Sequence, residues 1–373
     1  MNPQPLFCLN LDCPSRGKLN EGNIRVHDSL HNRFRCDTCG ATFTSNKGTL
    51  FYRLKTEPET VIRVLTLLAH GCPLTAIVFA FGLDRRTIEN WQKKAGEHCK
   101  EVHQHLVVLQ PRDLGQVQAD EIRAKLQKRL VLWIAMAIQV STRLWLGGVV
   151  SPSRDKSLIR RLAQMVRCQA SERPLLLMSD GLVTYVKAWK RAFCKPEPTG
   201  KPGRPRCVLW SELVIGQVVK CYEKRRVVGV EQRLVHGIWQ AFERLKVSGQ
   251  VMNTAYIERL NATFRQRLGG LVRRGRCLLR QEASLERGMY LVGCVYNFCT
   301  PHQSLCFRPA PGVPLLERPP AMAAGITDTI WSLGDLFCFR VAPPPYVAPQ
   351  PKPKRGRPKG SKNKPKGAEE AAQ

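Results

Sequence analysis

The chain is short of acidic residues. Its 373 residues include 29 Asp and Glu against 59 Lys and Arg, which gives a formal net charge of +30. An excess of this size is most simply explained by a polyanionic partner. The few carboxylates that such a protein keeps inside are candidates for holding a divalent metal ion next to phosphate.

Long apolar runs are also missing. No stretch reaches the roughly eighteen apolar residues that a membrane span needs, and the richest, 130–140, has basic flanks. Residues 1–14 have neither the basic start nor the apolar middle of a signal peptide, so we expect a cytoplasmic protein with no membrane partner. In that compartment the 15 cysteines should be mostly reduced, as metal ligands or core residues rather than disulfides.

Four cysteines near the start form two pairs, which are Cys8 with Cys13 and Cys36 with Cys39. Four thiolates at such spacing can complete one tetrahedral, structural Zn²⁺ site. A segment this small and polar has little core of its own, so the metal would supply folding free energy. The alternatives are four unrelated reduced cysteines, or His27 or His31 as a substitute ligand.

Residues 57–99 place apolar side chains at one-face helical spacing, with breaks at 71–73 and Gly82, which predicts three helices. Asp84 can cap the third helix. The exposed face of that helix carries five candidate DNA contacts, which are Arg85, Arg86, Asn90, Lys93 and Lys94. This pattern is typical of a helix-turn-helix that enters the major groove. The alternative is a three-helix packing module without DNA contact.

Strand-like and helix-like stretches alternate over 114–300, which predicts an α/β domain. A short strand carries Asp120, and the buried strand 174–180 ends on Asp180, where sites in α/β sheets lie. Either acid could equally be an ordinary residue of a strand end or turn. Glu121 competes with Asp120, and we expect only one of them at a site because neighbouring strand residues point to opposite faces.

The third acid lies in a helix. Residues 257–271 have an apolar helical face, and Glu258, Asn261 and Arg265 form a polar stripe beside it. Glu258 can therefore point into a cleft while its helix packs on a sheet, although it could instead pair with Arg259 or Arg265. We predict that Asn261 and Arg265 contact DNA.

Three carboxylates suit a pair of metal ions. Two of them can flank two ions roughly 3.5–4 Å apart, and the third completes the coordination. Oxygen ligands favour Mg²⁺ or Mn²⁺ over Zn²⁺. Asp120, Asp180 and Glu258 together thus predict phosphoryl-transfer chemistry, in which one ion activates the attacking oxygen and the other stabilises the leaving oxygen.

Several motifs resemble bacterial insertion-sequence transposases of the Asp-Asp-Glu (DDE) type, most closely those of the insertion sequence one family. The matching segments are 118–121, 179–181, 257–265, 268–276 and 297–305. The resemblance implies a ribonuclease H-like, mixed-sheet catalytic core with Asp120, Asp180 and Glu258 as the three acids. It implies cleavage at the ends of an element and transfer of a 3′-hydroxyl into target DNA.

The resemblance also implies partners and location. These are double-stranded DNA (terminal inverted repeats and target), a homo-oligomer with a dimer expected, and the nucleoid of a bacterial cytoplasm. Residues 194–213 depart from the family as an apparent insertion. The stretch from Asp180 to Glu258 is long for the family, which leaves Glu243 or Glu231 as alternative third acids. In the family, His236 corresponds to a basic or histidine position before the helix that carries the third acid.

The C-terminal tail is basic and rich in proline. Its centre, 354–359, resembles an AT-hook, in which Arg355 and Arg357 would enter a narrow minor groove. The alternative is a disordered, solubilising tail. The predicted domains are a zinc-ribbon-like domain, a helix-turn-helix domain, the ribonuclease H-like domain, a Pro-rich segment and the tail, at 1–55, 56–105, 112–305, 306–350 and 351–373.

These features favour a DNA transposase. Two other functions fit parts of the pattern. The DNA-binding segments alone would suffice for a non-catalytic regulator, which would lack metal-dependent chemistry. A nuclease or resolvase on the same fold would cut DNA but never join it.

Overall fold

The computed structural model describes residues 6–125, 131–198, 200, 205–224, 226–246, 252–272 and 281–348. Within them the chain forms two compact units, which are treated in turn. The smaller unit comprises residues 6–43 with 342–348, and the larger comprises residues 44–341.

The smaller unit is built around cysteines rather than apolar side chains. Its strands β1 (Ile24–Asp28), β2 (Arg33–Cys36) and β3 (Thr42–Thr44, at the unit boundary) form a sheet in that order. Cys8, Cys13 and Cys36 are its fully buried centre. Arg16 fastens the chain after residue 342 by donating to the carbonyl oxygens of Pro344 (2.6 Å) and Pro345 (2.7 Å).

The larger unit begins with the three helices predicted from residue spacing. They are α1 (Pro58–Ala69), α2 (Leu74–Phe81) and α3 (Arg85–His103). Gly82 ends α2 with a φ of 62°, in the left-handed region where glycine is favoured. The carboxylate of Asp84 caps α3 by accepting from the backbone N–H of Arg86 at 2.8 Å, as predicted.

A mixed sheet follows. Its strands are β4 (Gln116–Lys125), β5 (Val131–Gln139), β6 (Trp145–Ser151), β7 (Leu175–Asp180), β10 (Leu213–Glu223) and β11 (Arg226–His236). Among the described residues their order is β11-β10-β7-β4-β5-β6. Strands β4, β5 and β6 are antiparallel neighbours, whereas β7 runs parallel to both β4 and β10. The expected α/β class and mixed sheet are confirmed.

The remaining elements surround the sheet. They are α4 (Lys156–Gln169), α5 (Val183–Ala192), β8 (Cys194–Glu197), β9 (Arg206–Leu209), α6 (Trp239–Leu245), α7 (Ala255–Arg267), α8 (Glu282–Cys294), α9 (Pro320–Ala323) and α10 (Leu333–Cys338). The apolar faces of α1 and α3 join the same buried core as β4, β5 and α8. The three N-terminal helices are therefore packed as part of the larger unit.

Two features of the region 194–236 were not predicted. The first is the long antiparallel pair β10–β11 that extends the sheet. The second is a disulfide between Cys194 and Cys207, an exception to the expectation of reduced cysteines. The hairpin β8–β9 brings their Cα atoms to 5.6 Å, a separation that a disulfide can bridge. Throughout the part of the chain that is described, no helix combines the length and apolarity needed to cross a bilayer.

Helices α3 and α8 approach most closely at Gly96. A Cβ atom there would lie 2.5 Å from the Cβ and 2.6 Å from the carbonyl oxygen of Arg287. Backbone cannot yield as a flexible side chain can. Gly96→Ala should therefore lower the free energy of unfolding by about 1–2 kcal/mol, because overpacking costs more than the gain in helix propensity.

Thermal denaturation of the purified variant measures this loss. Gly288→Ala is the matched control, since its new Cβ would meet only the end of the Leu268 side chain, at 3.0 Å. A Gly96→Ala protein as stable as the parent would contradict the close packing of α3 on α8.

Candidate functional site

A cleft of about 380 Å³ opens at the carboxyl end of β7. Its lining residues are Asp120, Arg154, Asp180, Gly181, Leu182, Val218, Val219, Lys220, Thr254 and Glu258. All three acids singled out from the sequence therefore meet at one place, on β4, β7 and α7. The carboxyl ends of adjacent parallel strands are where α/β sheets place their sites.

Glu121 belongs to the same group of acids, so the expectation that Asp120 would exclude it is wrong. Carboxylate oxygens of Asp120, Glu121 and Asp180 lie within 4.8 Å of one another. Side chains 120 and 121 leave opposite faces of β4, but the two faces are separated only as far as the sheet continues. Here β7 ends at Asp180, and the β4–β7 pairing ends at Ala119 with Ser179, so both acids reach the Asp180 carboxylate.

The carboxylate of Glu121 is the most deeply buried of the group, with a side chain only 1% exposed. Arg154 donates to its Oε2 at 3.0 Å and lies 3.5 Å from Oδ2 of Asp180, so one guanidinium serves two acids. The other carboxylate oxygen of Glu121, Oε1, is buried and has no hydrogen-bond partner among the described residues. Burial raises the pKa of Glu121 to about 7, against the opposing effect of Arg154.

Asp120 is held by an amide. Asn261 of α7 donates from Nδ2 to Oδ2 of Asp120 at 2.8 Å. Burial, together with the negative charges of Asp180 and Glu258, raises the pKa of Asp120, while Arg265 opposes the shift. A group of carboxylates that resist ionisation in this way is stabilised by a divalent cation, and this group could hold one.

Helix α7 is fastened to β4 by Gln118, which sequence reasoning missed. Its Oε1 accepts from the backbone N–H groups of Tyr256 (3.0 Å) and Ile257 (3.1 Å). Its Nε2 donates to the carbonyl oxygen of Asn253 at 2.8 Å. Gln118 and Asp120 lie two residues apart on the same face of β4. The alternation of strand side chains could therefore have indicated that Gln118 faces the same helix as Asp120.

Glu258 lines the same cleft but is not part of the compact group of Asp120, Glu121 and Asp180. Its Oε1 accepts from Lys220 of β10 at 2.9 Å and from Oγ1 of Thr254 at 3.1 Å. The two alternative third acids are elsewhere. Glu231 pairs with Arg233 on β11, Glu243 pairs with Lys246 at α6, and neither lines the cleft.

Two residues predicted to touch DNA are engaged internally. Asn261 is 1% exposed and bonded to Asp120, so its burial contradicts a role as a DNA contact. Lys94 is half-buried and donates to the carbonyl oxygen of Tyr52 at 3.2 Å. The other predicted contacts on α3 remain exposed, namely Arg85, Arg86, Asn90 and Lys93. Arg355 and Arg357 lie outside the described residues.

The four cysteines of the smaller unit converge as predicted. The Sγ atoms of Cys8 and Cys39 are 3.6 Å apart, and those of Cys13 and Cys36 are 3.8 Å apart. All four sulfurs lie within 4.8 Å of one another, so the group could bind a metal such as zinc. Neither His27 nor His31 is part of it, and His31 bonds instead with Asp28 at 2.7 Å.

The remaining predicted position, His236, ends β11 opposite Ile215 and does not line the cleft. Burial and the charge of Lys190 lower its pKa.

Comparison with known proteins adds no information about this site. No protein-family model matches the chain, and no curated protein matches it significantly.

Replacing one cysteine should abolish metal binding in the smaller unit. We expect the parent protein to carry about one zinc ion per chain and Cys36→Ser to carry almost none, because three thiolates leave a tetrahedral site open. Elemental analysis of protein grown with zinc measures the ratio. Cys168→Ser, which removes an exposed free thiol, is the control. Equal zinc in both variants would exclude the four-cysteine site.

The buried carboxylate of Glu121 should make stability depend on pH in metal-free buffer. Its folded pKa of about 7 is above the ordinary 4.5, so its stabilising contribution is complete below about pH 4.5 and is lost as the pH rises through 7. As the pH rises from 4.5 to above 7, the free energy of unfolding of Glu121→Gln should therefore increase relative to that of the parent by up to about 3 kcal/mol. Thermal unfolding in a chelating buffer measures the difference, and a difference independent of pH would refute it.

Proposed function

We propose that the protein is a DNA transposase that cuts the ends of an insertion sequence and joins a 3′-hydroxyl to target DNA. The observation that carries the proposal is the meeting of Asp120, Asp180 and Glu258 in one cleft, although they are far apart in the chain. The formal charge of +30 supports a polyanionic substrate. The motif resemblance at these same residues supports the reaction class.

A ribonuclease H-like core is part of the proposal. It is supported by three antiparallel strands, β4 to β6, followed by two parallel strands, β7 and β10, with helices α4 and α5 between them. In this arrangement Asp120 lies on the central strand and Asp180 at the end of its parallel neighbour. The first two acids are thereby brought together by the sheet itself, and the third comes from the helix packed beside it.

The residues present fit one or two divalent ions, Mg²⁺ or Mn²⁺. Asp120 and Asp180 would hold the ions, and Glu258 would complete the site. Beside them, Oε1 of Glu121 is buried without a hydrogen-bond partner among the described residues, which favours a positive charge there. When bound, the ions would supply an activated attacking oxygen and would neutralise charge on the phosphate. Arg154 and Lys220 now neutralise Glu121, Asp180 and Glu258.

Arg154 and Lys220 line the cleft beside these acids, where both cations are placed to meet a phosphate. Arg154 is backed by the Trp133 ring, 5.2 Å from its centroid, so it is held at the rim of the cleft. Asn261 keeps the Asp120 carboxylate in one orientation, and Gln118 keeps α7 in place. These residues position and neutralise the reacting groups.

DNA recognition would come from α1 to α3 as a helix-turn-helix and from a zinc ribbon in the smaller unit. The support is the exposed Arg85, Arg86, Asn90 and Lys93 at the start of α3, where a recognition helix contacts base edges. Minor-groove binding by the tail, action as a dimer and a nucleoid location in a bacterial cytoplasm remain predictions.

The test is strand cleavage and joining with Mg²⁺ and a DNA fragment bearing the element's own ends. Asp120→Asn, Asp180→Asn and Glu258→Gln should each reduce both products at least about 100-fold, since even an outer partner of a metal ligand is worth 10–100-fold. Binding of the same DNA without metal should persist in all three.

The controls are Glu231→Gln and Glu243→Gln, which change acids outside the cleft. Cleavage without any joined product would point to a nuclease. Full activity in the Asp120→Asn variant would refute the proposed site.

A further inference from the structure

Four basic side chains gather around one aromatic ring away from the acidic cleft. They are Arg143, Arg259, Arg267 and His302, and the ring is that of Tyr296. None of the four lines the cleft. With 3.6 residues per turn, Arg259 is about 100° and Arg267 about 180° around α7 from Glu258, so they occupy another side of the helix.

The Arg143 guanidinium is held firmly. It lies over the Tyr256 ring at 3.8 Å from the centroid, and its Nη1 donates to the carbonyl oxygen of Val140. The residue has a φ of 59°, which places this arginine in the left-handed region at the turn between β5 and β6. A guanidinium stacked on an aromatic ring is already ordered, so less entropy is lost when it binds an anion.

Histidine joins the arginines from the chain after α8. The His302 ring lies 6.4 Å from the Tyr296 ring, and its Nδ1 is 2.9 Å from Oγ of Ser304. Burial lowers the pKa of His302, and the charges of Arg143 and Arg259 lower it further. His302 therefore lies close enough to Arg143 and Arg259 to be affected by their charges.

Among the described residues, no acid forms an ion pair with an arginine of this cluster. Within the described ranges, Arg143, Arg259 and Arg267 form no ion pair, and the charged groups that act on Tyr296 are those three arginines. Nη1 of Arg267 is buried without a hydrogen-bond partner among the described residues. Half-buried like charges repel one another unless an anion accompanies them.

We propose that Arg143, Arg259, Arg267 and His302 form a phosphate-binding site for a DNA strand that passes α7 on the side away from the cleft. Planar guanidinium groups match the geometry of phosphate oxygens, and bidentate pairing is available to them. The choice of DNA as the source of the phosphate rests on the proposed function, whereas the anion site rests on the cluster. Such a contact sets register and affinity and takes no part in the chemistry.

The anion site is tested without DNA. Inorganic phosphate is titrated into protein with isotope-labelled histidine, and the ring signal of His302 is identified by its loss in His302→Gln. We expect a saturable shift of that signal in the parent and at least a tenfold weaker response in Arg259→Gln. A His302 signal that does not respond to phosphate overturns the site.

The source of the phosphate is tested by DNA binding in EDTA at several salt concentrations. Arg259→Gln should lower the slope of log affinity against log salt by about 1, the value for one lost phosphate contact. Arg160→Gln, an exposed arginine of α4, is the matched control and should leave the slope unchanged. Arg143→Lys keeps the charge and loses only the planar fork and its stacking, so it should weaken DNA binding while the slope stays nearly unchanged.

The outcomes separate this inference from the proposed function. A reduced slope in a protein that never cuts DNA supports the phosphate site and leaves the transposase proposal refuted. A His302 response to phosphate with an unchanged slope overturns DNA as the ligand. Arg259→Gln that cleaves normally at saturating DNA but binds with the reduced slope supports a contact outside the chemistry.

Discussion

Strand β4 and helix α7 are joined by side-chain amides, and the whole candidate site depends on that junction. Gln118 accepts from two N–H groups at the start of α7 and donates to the chain just before it, while Asn261 bonds to Asp120. Each such hydrogen bond contributes only about 1 kcal/mol to stability, but a buried donor or acceptor that is left without its hydrogen bond costs more. The junction therefore fixes how α7 lies against β4, and with it the position of Glu258 in the cleft.

The same junction fixes the electrostatic state of the cleft. Asp120, Glu121 and Asp180 are packed closely together, burial raises the pKa of Asp120 and of Glu121, and Arg154 with Lys220 supplies part of the missing positive charge. A carboxylate group that is incompletely neutralised costs stability. Binding of a divalent ion would recover that cost, so the arrangement favours a bound metal ion.

Much of the framework could be predicted because the chain carries local signals. Apolar spacing predicted α1 to α3, the strands that carry Asp120 and Asp180, and the helix of Glu258. The strand pair β10–β11 was missed because its apolar residues come in short runs, such as residues 213–215 of β10, that are broken by glycine and polar residues. Lys220 was missed with it. Glu121 was assigned to the opposite face, since alternation alone ignores where a neighbouring strand ends.

The sequence by itself determined the local elements, the spacing of the four cysteines, the basic charge and the three acids, since these depend on neighbours along the chain. Only the tertiary structure decided which acids meet, that Asn261 is a buried partner of Asp120, and that Arg143, Arg259, Arg267 and His302 share one place. Those relations join residues on separate elements. They are set by the register of β4 against β7 and by the docking of α7, which no local pattern encodes.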